Sequence, residues 1–253
     1  MQLSNKEKVT AFLKSFETGD PQPLKYINPD KYIQHNLRAA DGLSGLKTLL
    51  SQLPPNVKVN TVRIFEDGDF VFAHTVYEFT SSKIGFDIFR FEDGKIVEHW
   101  DNLQATQPPN PSGHTMIDGA TEIRDLDKTE INRTIVKNHV EDILNGRLAK
   151  LPDYYDNDNY IQHNPLVPDH FSGLVKTITE YAKQGITLVK YDKIHQVLGE
   201  GNFALVVSEG RFKGAHSAIY DLYRIENGKI AEHWDTIEEI PPIENHKNTN
   251  GKF

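Results

Sequence analysis

The chain has 253 residues, 38% hydrophobic and 25% charged, the balance of an ordinary globular protein and enough for one large or two ordinary domains. A net charge of -8 without any cluster of Lys and Arg excludes a phosphate-backbone partner, so no nucleic acid is expected. No run approaches the roughly 18 apolar residues of a spanning helix, so no membrane is expected; the absence of cysteine excludes disulfides, thiolate metal sites and a Cys nucleophile, and an N-terminus without an apolar signal run points to the cytoplasm.

In chain order, Val9, Phe12, Leu13 and Phe16 follow helical spacing. Ser4 and Glu7 have capping-box spacing in front of them, and Gly19 ends the run. Tyr32-Ile33-Gln34-His35-Asn36 reads as a brief strand, followed by a helix over about 43–50. Strands are expected over 60–65 and 70–79, separated by the turn Glu66-Asp67-Gly68-Asp69, and then a hairpin closed by Asp93-Gly94. Gln107-Pro108-Pro109-Asn110-Pro111-Ser112-Gly113 can sustain neither a helix nor a central strand and reads as a linker.

The same series then begins again. Val136, His139, Val140 and Ile143 form a second helical stripe, with Asp127 and Glu130 at cap spacing and Gly146 at its end. Tyr160-Ile161-Gln162-His163-Asn164 repeats the first motif 128 residues on, and Ser44-Gly45-Leu46 recurs at the same offset as Ser172-Gly173-Leu174. A helix over 174–181 and strands over 194–198 and 203–212 follow, and the hairpin from Asp87 to Asp101 recurs from Asp221 to Asp235 at an offset of 134. A period this long is a whole domain and not a solenoid unit. The expected organisation is therefore a first domain over 1–106, a linker over 107–125, a second domain over 126–240 and a tail over 241–253. Helices followed by an antiparallel meander make each domain α+β, a curved sheet wrapped around a helix.

Alternation along the last strand places Val97, His99, Asp101 and Leu103 on one face and Ile96, Glu98, Trp100 and Asn102 on the other. Ala231, His233, Asp235 and Ile237 share a face in the second copy. A His and a carboxylate entering one space suit general acid–base work, because an apolar cavity raises a carboxyl pKa towards the working pH. A solvated face or a structural hydrogen-bonded pair is the competing reading. Asp87 and Asp221 fall opposite Trp100 and Trp234 in a regular hairpin, where they would bond an indole N–H, and beside Asp101 and Asp235 if the hairpin carries a one-residue bulge. A metal is not expected, since no His-x-x-x-His or Glu-x-x-His spacing occurs, and the lack of nucleotide-binding or nucleophile-elbow motifs leaves no cofactor.

Tyr-Ile-Gln-His-Asn followed by Asp-x-[Phe/Tyr]-Arg-x-x-x-Gly-Lys-Ile-x-Glu-His-Trp-Asp resembles the SnoaL-like branch of the NTF2-like superfamily, in both halves. The resemblance implies tandem cone-shaped α+β barrels, each with a pocket for a small-molecule ligand between sheet and helices. It also implies an internal pseudo-dimer of the two repeats, open to further homo-oligomerisation. It implies polyketide-cyclase-like chemistry, an aldol condensation or isomerisation on a small carbonyl compound, with Asp101 and Asp235 as acid/base, His99 and His233 beside them, and His35, Asn36, Asp87, His163, Asn164 and Asp221 around the substrate. A non-catalytic binding or assembly module of the same fold remains the alternative. His74 aligns with Val207 and Glu78 with Arg211, so the two cups are expected to differ in polarity.

Overall fold

A computed structural model of the chain describes residues 3–156 and 159–253. It divides into two compact units: Met1–Ala105 together with Ile240–Phe253, and Thr106–Glu239. In the first, α1 (Asn5–Thr18), β1 (Ile33–Gln34), α2 (Gly42–Ser51), β2 (Lys58–Asp67), β3 (Phe70–Glu78), β4 (Ser82–Glu92) and β5 (Lys95–Ala105) follow in order. The second repeats them as α3 (Thr129–Leu144), β6 (Ile161–Gln162), α4 (His170–Lys183), β7 (Val189–Glu200), β8 (Phe203–Phe212), β9 (Ala215–Glu226) and β10 (Lys229–Glu239). Each unit holds one five-stranded sheet, β1-β5-β4-β3-β2 and β6-β10-β9-β8-β7, antiparallel except for the short first strand.

The first helix starts where the sequence says it should. Ser4 and Glu7 exchange both bonds of a capping box, and Gly19 closes the helix in a left-handed conformation at φ 68°. The second helix does not use Asp127 as its cap: a 3-10 turn over Leu126–Lys128 leads straight into Thr129, and no side chain caps the helix. Val9, Phe12 and Leu13 of α1 pack on Val71, Ala73, Phe89, Phe91 and Ile96 of the sheet, each large side chain contributing about 1.5–3 kcal/mol of burial. Val136 and Val140 of α3 meet Ala204, Val206, Tyr223, Ile225 and Ile230 in the same way.

Both hairpin tips are tight turns with two residues at positive φ, Asp93 and Gly94 at 49° and 74°, Asn227 and Gly228 at 51° and 74°. Immediately after each tip the last strand bulges. Arg90 pairs with Glu98 and Phe91 with Ile96, leaving Val97 as the extra residue; Ala231 is the extra residue in the second unit. The bulge corrects the expected faces by one phase: Ile96 and Ile230, not Val97 and Ala231, join the core on the side of His99 and His233.

The segments read as linker and tail are docked pieces of structure. Asn110 donates to the carbonyls of Gln162 and Val167 in the second unit, while its own carbonyl receives the amides of Ser112 and His114. Asn248 does the same in the first, donating to the carbonyls of Asn36 and Ala39 and receiving the Asn250 amide. The motifs Asn110-Pro111-Ser112-Gly113 and Asn248-Thr249-Asn250-Gly251 are thus a further repeated pair. No helix among the described residues is long and apolar enough to cross a membrane.

Candidate active site

The bulge decides what stands beside the repeated carboxylates of the hairpin. With one residue taken out of register, Asp87 lies directly opposite Asp101 and Asp221 opposite Asp235. Neither Asp87 nor Asp221 is committed to an indole; the Trp234 N–H goes to the Asp118 carbonyl instead. All four carboxylates are buried.

In each unit a short chain of hydrogen bonds runs through the dyad. His99 Nε2 meets Asp87 Oδ1 at 3.2 Å, and its Nδ1 meets Gln34 Oε1 at 2.9 Å; for His233 the distances are 3.0 Å to Asp221 and 2.9 Å to Gln162. The amide oxygen of the glutamine also receives the Asn36 or Asn164 backbone N–H, so it acts only as an acceptor, and Nδ1 must carry a proton. The ring is thereby oriented from both sides, with Nε2 facing the aspartate. The glutamine N–H donates to the Tyr32 or Tyr160 hydroxyl.

The second oxygen of the dyad aspartate accepts a tyrosine O–H in both units, but from different strands. Tyr77 of β3 supplies it to Asp87 at 2.6 Å, and Tyr191 of β7 supplies it to Asp221 at 3.0 Å. Val59 pairs with Tyr77 in the first sheet and Tyr191 with Gly210 in the second, so the same two ladder positions have exchanged the large residue. A Cβ at Gly210 would sit 2.2 Å from the Lys190 carbonyl oxygen, which keeps that position without a side chain. Burial raises the pKa of both tyrosines, keeping them neutral donors.

Asn36 and Asn164 reach the same face and donate to Asp101 Oδ2 at 2.5 Å and Asp235 Oδ2 at 2.6 Å. His35 and His163, one residue earlier, point to the opposite face of the sheet. There they stack on Trp100 and Trp234 with ring centroids 4.7 Å apart and bond Glu98 and Glu232 at 3.0 and 2.9 Å, carboxylates also held by Arg90 and Arg224. The structure therefore gathers Asp87, His99, Asp101 and Asn36 in one unit and Asp221, His233, Asp235 and Asn164 in the other, and sets both His35 and His163 apart from them. Gln34, Gln162, Tyr32, Tyr160, Tyr77 and Tyr191 belong to these groups and were assigned no role from sequence. Gln34 stands two residues before Asn36 in the repeated Tyr-Ile-Gln-His-Asn motif, a spacing that could have drawn attention to it; the tyrosine that changes strand leaves no such signal.

The other oxygen distinguishes the units. Asp101 Oδ1 faces the Lys252 ammonium at 3.5 Å, whereas Asp235 Oδ1 is buried without a hydrogen-bond partner among the described residues. Burial, reinforced by the neighbouring Asp221, raises the Asp235 pKa to about 6, against the lowering influence of His233. Asp87, His99 and Asp101, and likewise Asp221, His233 and Asp235, bring ligand atoms within 4.8 Å, as do His114, Asp118 and His163. Strand pairing gathers these groups without any helical spacing motif, but in the two Asp–His–Asp clusters both imidazole nitrogens are already bonded, and a cation would have to displace those bonds. Open clefts of about 450 Å³ beside Phe16, Leu24 and Leu53, and about 420 Å³ between α3 and β7, lie elsewhere and are lined by none of these groups.

Residues 9–99 match the family model of the SnoaL-like domain. The match falls within the first unit. The second unit has the same element order, sheet topology and bulge, so the chain carries two tandem copies of this NTF2-like, α+β fold. Among solved structures, the chain is similar to TsrD from Streptomyces laurentii, at 21% identity over 41% of this chain and 92% of that one with a TM-score of 0.35. It is also similar to a candidate polyketide cyclase from Bacillus cereus ATCC 10987, at 24% identity over 40% and 79% with a TM-score of 0.36. A third, a candidate ketosteroid isomerase from Kribbella flavida DSM 17836, is 12% identical over 46% and 84% with a TM-score of 0.37. No curated protein matches the chain.

Proposed function

We propose that the second SnoaL-like unit catalyses proton transfer α to the carbonyl of a small molecule, in an aldol-condensation or isomerase reaction, with Asp235 as the base. The observation that carries this reading is the Asp235 carboxylate: Oδ2 is fixed by Asn164, while Oδ1 is buried with no hydrogen-bond partner among the described residues, and the pKa is raised to about 6. Such an oxygen has lost the solvation that would weaken it as a base, and it is ionised near neutral pH. Tyr160 accepts from Gln162 and keeps its own O–H, held neutral by burial, which suits it to donate to the oxygen of a developing enolate. The Asp221–His233 pair lies within the same cluster and fixes the glutamine that orients Tyr160. Residues within each unit and an internal pairing of the two repeats complete the proposal, with a small carbonyl compound as partner.

The competing reading is a binding module, and it draws on the clefts that open away from these carboxylates. Deuterium incorporation α to the carbonyl of small ketones and β-keto esters, followed by NMR in D2O, separates the two. Exchange rises with pH through about 6 as Asp235 ionises, and Asp235→Asn lowers it by about 10²–10⁴-fold. Ligand binding without exchange, or exchange that survives Asp235→Asn, rules out the assignment.

A further inference from the structure

The first unit holds the same carboxylate in the same place, and there the chain itself supplies an occupant. Asn248 fastens residues 240–253 to the carbonyls of Asn36 and Ala39, and Asn250 reaches the Gln34 carbonyl at 2.9 Å and Asp41 at 2.7 Å. The Gly251 carbonyl lies 3.0 Å from His35 Nδ1. These bonds aim the next residue, Lys252, at Asp101, and both side chains of that ion pair are only 6% exposed. The second unit has the corresponding clasp, but its corresponding residue, His114, turns away to Asp118 and Asp169 at 3.3 and 3.2 Å. The two carboxylate groups therefore differ in one respect that the repeat does not require: among the described residues, a buried ammonium pairs with Asp101 and none with Asp235.

We propose that residues 240–253 are a built-in occupant of the first unit's acid–base site, with Lys252 closing it, so that the chain has one working site and not two. A buried ammonium is tolerated only against a partner charge, which makes Asp101 the reason for the lysine's position. The same ammonium occupies the space beside Oδ1 that a substrate would have to enter. This inference rests on the reading of the carboxylates as bases, and the seating of the segment can be tested apart from it.

Acetylation of the full chain with an N-hydroxysuccinimide ester, read lysine by lysine by mass spectrometry, reports the seat. Lys252 reacts about tenfold or more slowly than Lys176, whose side chain is 73% exposed, and Asp101→Asn brings the two rates together by releasing the Lys252 side chain. Equal rates in the unaltered chain overturn the proposal. Closure is read in an Asp235→Asn background: Lys252→Met restores α-deuterium exchange by about tenfold or more, while Lys252→Arg, which keeps the ion pair, does not. A chain in which Lys252→Met recovers nothing, though Lys252 is protected and the unaltered protein turns over, overturns closure. Absence of exchange in the unaltered protein counts against the catalytic reading, and the acetylation rates still decide whether Lys252 is seated.

Discussion

His139 on α3 takes the place in the helical stripe that Phe12 takes on α1, and the exchange of a ring of carbon for an imidazole has a measurable cost. Its Nε2 lies 2.7 Å from the Tyr155 hydroxyl, its Nδ1 is buried without a partner among the described residues, and Tyr223 packs edge-on 5.4 Å away. Burial is the main cause of a pKa lowered to about 3, with His233 adding to it, so the ring stays neutral in the folded chain. An unfolded histidine takes up a proton near pH 6.5. The stability conferred by keeping His139 neutral is therefore complete above pH 6.5 and is lost as pH falls from there towards about 3. Asp235 acts in the opposite sense, since its raised pKa makes the folded chain gain stability as pH falls from about 6 towards the ordinary Asp value. Comparing variant with parent isolates the histidine. His139→Phe, the choice made in the first unit, is expected to leave urea stability at pH 7 within about 1 kcal/mol after loss of the Tyr155 bond. At pH 4.5 it gains about 2–3 kcal/mol relative to the parent. Parallel stability curves for the two proteins between pH 7 and 4.5 would show that His139 is not held neutral by the fold.

At the scale of elements, the retained Ser-Gly-Leu at the start of the second helix of each repeat records a close approach. A Cβ on Gly45 would fall 1.9 Å from the Ala40 carbonyl oxygen, and one on Gly173 would fall 2.8 Å from that of Pro168. The helix thus lies against the backbone of the loop in front of it, the loop whose Asp41 or Asp169 accepts the Gln34 or Gln162 amide at 2.9 Å. Gly45→Ala must push α2 off that loop and is expected to cost about 2–4 kcal/mol, and Gly173→Ala less, because its nearest contact is longer. Thermal denaturation of the two variants ranks them; equal losses would mean the helices move freely. The sequence made these elements readable because their spacing follows helical and strand periods and their turns need glycine. It left the phase of the last strand open, since a single extra residue at Val97 or Ala231 reverses the faces without altering composition. The site was readable in part for the same reason: His-x-Asp lies on one strand, whereas Tyr77 and Tyr191 reach the dyad from different strands through pairings that no spacing discloses.

At the scale of the whole molecule, each unit is completed by a segment that follows the other repeat in sequence: 106–125 belongs with the second unit and 240–253 with the first. Proline and asparagine in these stretches give no helical or strand period, so they read as connectors, and their order comes from carbonyls they find elsewhere. Asn248 satisfies two such carbonyls, those of Asn36 and Ala39, on the loop between β1 and α2 that also carries the Asn36 side chain to Asp101. Removing the amide takes this donor from the Ala39 carbonyl, at about 1–3 kcal/mol if water cannot reach it, and leaves the Asn36 carbonyl with the Ala39 N–H. Asn248→Ala is therefore expected to loosen the first unit, although residue 248 lies after the second repeat in the chain. Hydrogen exchange measures it: the amides of His35 and Ala39, bonded to the His99 and Asn36 carbonyls, should exchange about 10–100-fold faster. Those of His163 and Val167, bonded to the His233 and Asn164 carbonyls, should keep their rates. Asn110→Ala should give the converse pattern, because Asn110 holds the Gln162 and Val167 carbonyls. Faster exchange at His163 in Asn248→Ala, or none at His35, would mean that the closing segment does not stabilise the first unit, and that Lys252 reaches Asp101 without the clasp that aims it.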